Sequence, residues 1–271
     1  MPLTHYRCPD KNTISITDCL RACRLPQRCL TRTTLQVIAE TQRPWDDIPH
    51  VTQLLNGTML ELLKITKDYT ISPKDRAFAL LGSSHHRMLD GGWSHETPEF
   101  ILGAQGYISE LSLNNGWMQG TLDLLEDGGT ELIMTDYKTW GSSRLCRGKS
   151  FDPAQVDLTE VSMQMNAYRV MLEQQYDIKA GHLQVQCTVR DGGLAATIRR
   201  GVTESMYLLP VSKLPDEVVL AYFRTKAELL LDALAKDGLP EPCSNIERWN
   251  DVRCRRFCEV AEYCPVGVQY E

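Results

Sequence analysis

Two aspartates and a lysine flank one turn of this chain. The stretch runs Gly120-Thr-Leu-Asp123-Leu-Leu-Glu-Asp-Gly128-Gly129-Thr-Glu-Leu-Ile-Met-Thr-Asp136-Tyr137-Lys138, and it reads as two strands joined around Gly128-Gly129. Side chains alternate along a strand, so Met134, Asp136 and Lys138 share a face. With the turn centred on the two glycines, Asp123 faces Met134 and lies diagonal to Asp136, ~7–8 Å away before side-chain reach is counted. That spacing lets both carboxylates share one hard cation, with the Lys138 ammonium beside them. A slip of one residue would turn one carboxylate to the opposite face. Leu122, Leu124, Leu125, Leu132, Ile133 and Met134 make both faces apolar, so the hairpin is expected to be central and covered. Charges there cost on the order of several kcal/mol unless they are paired or metal-bound. A structural ion pair between Asp136 and Lys138 is the plain alternative.

A second constellation is made of cysteine. Cys8, Cys19, Cys23 and Cys29 follow the spacing C-x10-C-x3-C-x5-C, and Cys243, Cys254, Cys258 and Cys264 repeat it. Between the cysteines the two copies agree only at Arg21 and Arg256, so the thiol spacing repeats without the packing residues. Four thiolates suit a closed tetrahedral zinc site, and they also suit an iron–sulfur cluster. Two structural Zn2+ ions are expected, with a 4Fe–4S cluster as the alternative. Cys187 lies in an alternating run that reads as core, and Cys146 in a loop with no partner to name.

The elements that must hold these groups can be read from periodicity. The segment QRPWDDIPH, residues 42–50, marks a boundary. Helical patterns cover 50–66, 73–90, 157–176 and 215–236, and strand-like runs cover 106–113, 117–125, 131–137, 181–190 and 204–210. The blocks predict an α/β fold, a central mixed sheet flanked by helices. They divide the chain into an N-terminal four-cysteine module with linker at 1–45, a core at 46–238 and a C-terminal four-cysteine module at 239–271. The chain has 271 residues, 42% of them hydrophobic, and a net charge of −6. A disordered or collagen-like chain is excluded. No run of ~18 apolar residues is present, so no membrane span is expected. The first residues lack the apolar stretch of a secretory signal, so the cytoplasm is the expected compartment. A net negative charge argues mildly against a nucleic-acid binder and leaves room for a local basic groove.

The order Gly-x-x-Asp, hairpin, Asp-x-Lys-Thr resembles the RecB-like branch of the PD-(D/E)XK nuclease superfamily. Three further stretches carry the same resemblance: Gly82-Ser-Ser-His85-His86-Arg-Met-Leu-Asp90 ahead of the sheet, Gln164-Met-Asn-Ala-Tyr168 on the following helix, and Glu110 on the strand before Gly120. Together they span about residues 75–190. The resemblance implies a restriction-endonuclease-like core and a divalent-metal-dependent DNA nuclease, exonuclease-like on DNA ends or single strands. It implies Mg2+ or Mn2+ held by His86 (rather than His85), Asp123, Asp136 and the Tyr137 carbonyl, with Glu110 as an accessory group. Lys138 would orient or deprotonate the attacking water, and Gln164 and Tyr168 would position the backbone or the lysine. Several members carry a C-terminal iron–sulfur centre, usually through C-x2-C; the C-x3-C spacing and its N-terminal copy depart from that pattern.

Arg144, Arg147 and Lys149 follow the lysine strand and are candidate phosphate contacts, as are Arg24, Arg28 and Arg32 and Arg253, Arg255 and Arg256 in the cysteine modules. No G-x4-GK[ST] P-loop occurs, so any unwinding would come from a helicase or recombination partner. Two other classes compete with the nuclease reading. One is a non-catalytic DNA- or protein-binding module that keeps the fold. The other is a zinc-module scaffold whose acidic cluster is an ordinary ion pair.

Overall fold

The computed structural model describes residues 3–90, 106–146, 150–236 and 238–270. They group into two compact units: the chain up to Leu80 together with the chain from Arg224 onward, and Leu81–Phe223. No helix among the described residues is long and apolar enough to cross a membrane.

The first unit begins with β1 (Leu3–Arg7), β2 (Thr13–Ser15), α1 (Ile16–Arg21) and α2 (Arg32–Glu40), followed by α3 (Val51–Leu54), α4 (Thr58–Thr66) and β3 (Tyr69–Ile71). Its sheet has the order β2-β1-β3. Leu35 and Ile38 recur on one side of α2, and both are buried. They join Leu3, Tyr6, Met59, Leu60, Leu63, Tyr69 and Ile71 in one core, to which Cys19 from the first thiol set and Val260 and Cys264 from the last segment belong. The two cysteine segments therefore share a core, where the sequence suggested two small modules with little core of their own. The helical pattern at 50–66 is interrupted at Leu55–Gly57, and α4 restarts with Gly57 as its N-cap. A Cβ at Gly57 would collide with Cys243 Sγ, so a larger residue fits only if Cys243 moves.

The second unit is built on β4 (Tyr107–Asn114), β5 (Gln119–Asp127), β6 (Leu132–Trp140), β7 (Ala180–Val189) and β8 (Met206–Pro210). They form one five-stranded sheet in that order. The pair β6–β7 is parallel and the other three are antiparallel. A parallel pair needs a crossover, and α7 (Thr159–Tyr176) supplies it. From Met165 to Leu172 every residue of α7 is buried, so this helix is covered on all sides. Its two polar members are paired: Asn166 Oδ1 accepts from Leu214 N at 2.9 Å, and Arg169 bonds Leu214 O at 3.0 Å and Asp216. Cys187 on β7 and Cys146 in α6 (Ser142–Cys146) are both buried. The sheet flanked by helices matches the expected α/β class.

The hairpin register differs from the expected one. Leu125 pairs with Met134, and Asp127 with Leu132, two residues away from the pairing that places Asp123 opposite Met134. The turn is centred on Gly129-Thr130, closed by Gly128 N to Glu131 O at 2.9 Å. Gly129 takes a φ of +89°, and its N–H donates to Asp127 Oδ1 at 2.8 Å. An aspartate before a glycine that tolerates positive φ fixes the turn one residue later. The shift is even, so every side chain keeps its face.

Candidate active site

Continuing the β5–β6 register by one residue sets Asp123 beside Asp136 rather than diagonal to it. The backbone ladder opens there, because Asp123 Oδ2 accepts the Tyr137 N–H at 2.7 Å. On the other side β4 pairs Ser109 with Leu124 and Leu111 with Leu122. Glu110 falls between these pairs with a φ of +51°. A non-glycine residue rarely takes that conformation inside a strand, and such strain clusters at functional sites. Three acids from three adjacent strands thus stand in one row.

His86 comes to this row from α5 (Ala77–Leu89). Its Nδ1 lies 3.4 Å from Glu110 Oε1 and 3.5 Å from Asp123 Oδ1. Its Nε2 lies 3.2 Å from the Tyr137 carbonyl oxygen. One ligand atom each from His86, Glu110 and Asp123 falls within 4.8 Å of the others. His85 points elsewhere, with Nε2 3.4 Å from Thr188 Oγ1. Asp90 receives Ser109 Oγ at 3.0 Å.

Asp136 lies on the other flank of Asp123. Lys138 Nζ is 2.5 Å from its Oδ2, and Gln164 Nε2 donates to its Oδ1 at 3.2 Å. The same Gln164 nitrogen is 3.4 Å from Tyr168 Oη. Gln164 and Tyr168 are four apart on α7 and therefore face the sheet together. Gly120 is explained by this contact, since a Cβ there would sit 2.5 Å from Tyr168 Cε1. The helix packs against β5 only because that position carries no side chain.

The charges at the site are unbalanced. Burial, then the neighbouring Asp136 carboxylate, push Asp123 up to about 7, against the pull of His86, Lys138 and the Tyr137 N–H. Glu110 holds His86 above its ordinary range, against the effect of burial, and Asp123 adds to the rise. Burial pulls Lys138 down, but Asp136 and Asp123 outweigh it and keep the ammonium charged above its ordinary value. His85 is lowered by burial and by His86.

A divalent cation fits these residues. The donors are hard carboxylate oxygens, a carbonyl and one imidazole, a set suited to Mg2+ or Mn2+. Asp136 Oδ2 is buried and, beyond the ion pair with Lys138, has no partner of hydrogen-bond geometry among the described residues. Glu110, which the sequence suggested only as accessory, stands in the tightest trio, while Asp136 lies on the lysine side. The positive φ of Glu110 leaves no trace in the sequence.

The thiols are gathered more loosely: among the described residues neither set forms a ligand cluster as tight as that of His86, Glu110 and Asp123. Cys19 is raised by burial and by the charges of Cys8, Cys23 and Cys29. Cys243, Cys254, Cys258 and Cys264 line one cavity together with Leu60, Leu63 and Val260. The nearby arginines are partly engaged: Arg28 donates to Cys19 O at 2.8 Å, Arg24 pairs with Asp10, and Arg253 lies over the Trp249 ring at 5.1 Å. Arg144 lies over Trp140 at 5.4 Å. Arg147 and Lys149 fall outside the described residues.

A family model for the PD-(D/E)XK nuclease superfamily matches residues 30–265. Among curated proteins none matches the chain. Among solved structures, that of a protein designated SSO0001 aligns over 87% of this chain and 94% of its own, with 13% sequence identity and a TM-score of 0.43.

Proposed function

The chain belongs to the PD-(D/E)XK nuclease superfamily, and on that premise we propose that it is a RecB-like, divalent-metal-dependent DNA nuclease acting on ends or single strands. The observation that carries this reading is the meeting of His86, Glu110 and Asp123 within 4.8 Å, beside Asp136 and Lys138. His86, Asp123, Asp136 and the Tyr137 carbonyl would hold Mg2+ or Mn2+, with Glu110 beside them. When bound, the cation supplies Lewis acidity toward the phosphodiester and lowers the pKa of water. Lys138, charged and held by Asp136, orients the attacking water and offsets phosphate charge. Gln164 fixes Asp136, and Tyr168 fixes Gln164, so the pair positions the acid and lysine without taking a proton. Asp123 and Asp136 are buried while Glu110, His86 and Lys138 stay partly exposed, so the field of the ammonium is strongest at the two aspartates.

We assign the two cysteine sets a structural role, each holding Zn2+ or, in the alternative, a 4Fe–4S cluster. Elemental analysis separates these: two zinc per chain and no visible absorbance, or iron with sulfide and a brown colour. A cytoplasmic setting and a helicase or recombination partner complete the proposal, with 46–238 as the nuclease segment between modules at 1–45 and 239–271. The test of activity is cleavage of plasmid and of single- and double-stranded oligonucleotides with Mg2+ or Mn2+, with Asp136→Ala as control. Cleavage lost in the variant supports the reading. Binding without cleavage under either ion favours a non-catalytic module.

A further inference from the structure

A second concave site lies wholly within the first unit, and neither the acidic row nor the thiol sets use it. It is a cleft of about 570 Å3 between the 42–45 segment, α3, α4 and Tyr69. That is the size of a small-molecule site. At its base is Glu61, only 4% exposed. Lone carboxylates are seldom buried without a partner. Among the described residues one hydrogen bond reaches Glu61, from Asn56 Nδ2 to Oε1 at 2.8 Å. Asn56 is itself fixed, because Arg253 Nη2 donates to its Oδ1 at 2.8 Å, which turns the amide's NH2 toward Glu61. One carboxylate oxygen is thus half used, among the described residues no hydrogen bond reaches the other, and the charges of Lys64 and Arg253 offset it.

The rest of the lining is matched to a flat, polar-edged ligand. Trp45 lines the cleft and is half-buried. Gln42 Oε1 accepts from Tyr69 Oη at 2.9 Å, and Gln53 Oε1 accepts from His50 N at 2.9 Å. Each of these lining amides has its oxygen engaged, which leaves its NH2 as its remaining donor. Arg43 and Lys64 add positive charge to the lining. A carboxylate acceptor, amide donors, an aromatic wall and cations are the groups that bind a base edge, a base face and a phosphate.

We propose that this cleft binds a guanine nucleotide. Guanine presents two adjacent N–H donors, N1–H and N2–H2, which meet the two oxygens of a carboxylate side-on, while its O6 accepts from an amide NH2. Adenine and cytosine offer one amino donor beside an acceptor, and thymine one imide donor between two carbonyls; each leaves a Glu61 oxygen facing an acceptor or nothing. The choice of a nucleotide rests on the nuclease reading, but the site is separate from the residues that would cut. The nucleotide can be free or part of a strand.

The test is equilibrium binding by calorimetry with the full chain in EDTA, where cleavage does not operate. dGMP is expected to bind about tenfold or more tightly than dAMP, dCMP or dTMP. Glu61→Gln, nearly isosteric, should lose that preference, and Trp45→Ala should weaken all four nucleotides. Asp123→Ala should leave the preference intact, and cleavage by the parent is scored separately with Mg2+, so a failed nuclease reading and a failed cleft are told apart. An oligothymidylate carrying one guanine identifies the source: tighter binding than plain oligothymidylate, competed by dGMP, means a strand, and equal binding means the free nucleotide. Should Glu61→Gln not fold, judged by circular dichroism, wild-type selectivity and Trp45→Ala decide. Equal affinity for the four nucleotides, no binding at all, or an unchanged preference in Glu61→Gln overturns the proposal.

Discussion

Asp123 carries a charge that its surroundings resist. Its carboxyl, pushed to about 7 by burial and by Asp136, keeps its proton in the folded state at pH values where the unfolded chain, with an ordinary value of 3.8, has released it. Between about pH 4 and pH 7 the folded state binds more protons, so metal-free stability falls as pH rises through that window and stays at the lower level above it. Asp123→Asn removes the penalty. In EDTA at pH 8 it should be more stable than the parent by about 1–3 kcal/mol, the gap closing near pH 4, as measured by urea unfolding across pH. The same variant should lose cleavage and the stabilisation that Mg2+ gives the parent. Equal stability at pH 8 would count against the strained acid. Lys138→Met should separate the two roles differently, lowering cleavage by about 10²–10⁴-fold while the Mg2+-induced rise in melting temperature persists. Alternation alone places Asp123, Asp136 and Lys138 on one face, and the two-residue shift in register leaves that face unchanged because two is the period of the strand. Glu110 was harder to rank, since its weight comes from a left-handed backbone that no residue type announces.

At the scale of elements, the site depends on how closely α7 lies on β5. Gly120 sets that distance, and Gly120→Ala would bring a methyl to 2.5 Å from Tyr168 Cε1. The helix must shift or Tyr168 must turn, at a cost of about 1–3 kcal/mol. Because Gln164 on the same helix holds Asp136, activity should fall with stability, whereas Tyr168→Phe should leave stability almost unchanged. Thermal melts and initial cleavage rates on the three proteins check this. The five strands and the long helix at 157–176 are legible from blocks of periodicity, whereas the strand order and the crossover are not. The break between α3 and α4 is not, and the crowding that keeps Gly57 a glycine comes from Cys243, almost two hundred residues away. The strands at Leu3–Arg7 and Thr13–Ser15 also went unread. They are short and lie within a stretch whose thiols dominate the pattern, and β3 completes their sheet only through tertiary pairing.

At the scale of the whole molecule, the cysteine segments are parts of one interior. Cys19, Val260 and Cys264 are buried in the same core, so a metal held by either thiol set acts on the whole first unit. Cys254→Ser should therefore raise hydrogen exchange at α2, α4 and β1, well beyond its own segment, while Mg2+ still protects the strands that carry Asp123 and Asp136. Exchange followed by mass spectrometry reads both at once, and an effect confined to 243–270 would contradict a shared interior. The gathering of the first eighty residues with the last forty-eight also fixes an order of events on the ribosome. A nascent chain emerges from its N-terminus, and segments fold as their partners become available. Residues 81–223 are complete while Val260 and Cys264 are still unsynthesised. The chain's beginning must therefore wait, with Leu35, Met59 and Leu63 partly uncovered, for its end, and translation pausing after residue 223 would leave a finished sheet beside an unfinished unit open to chaperones.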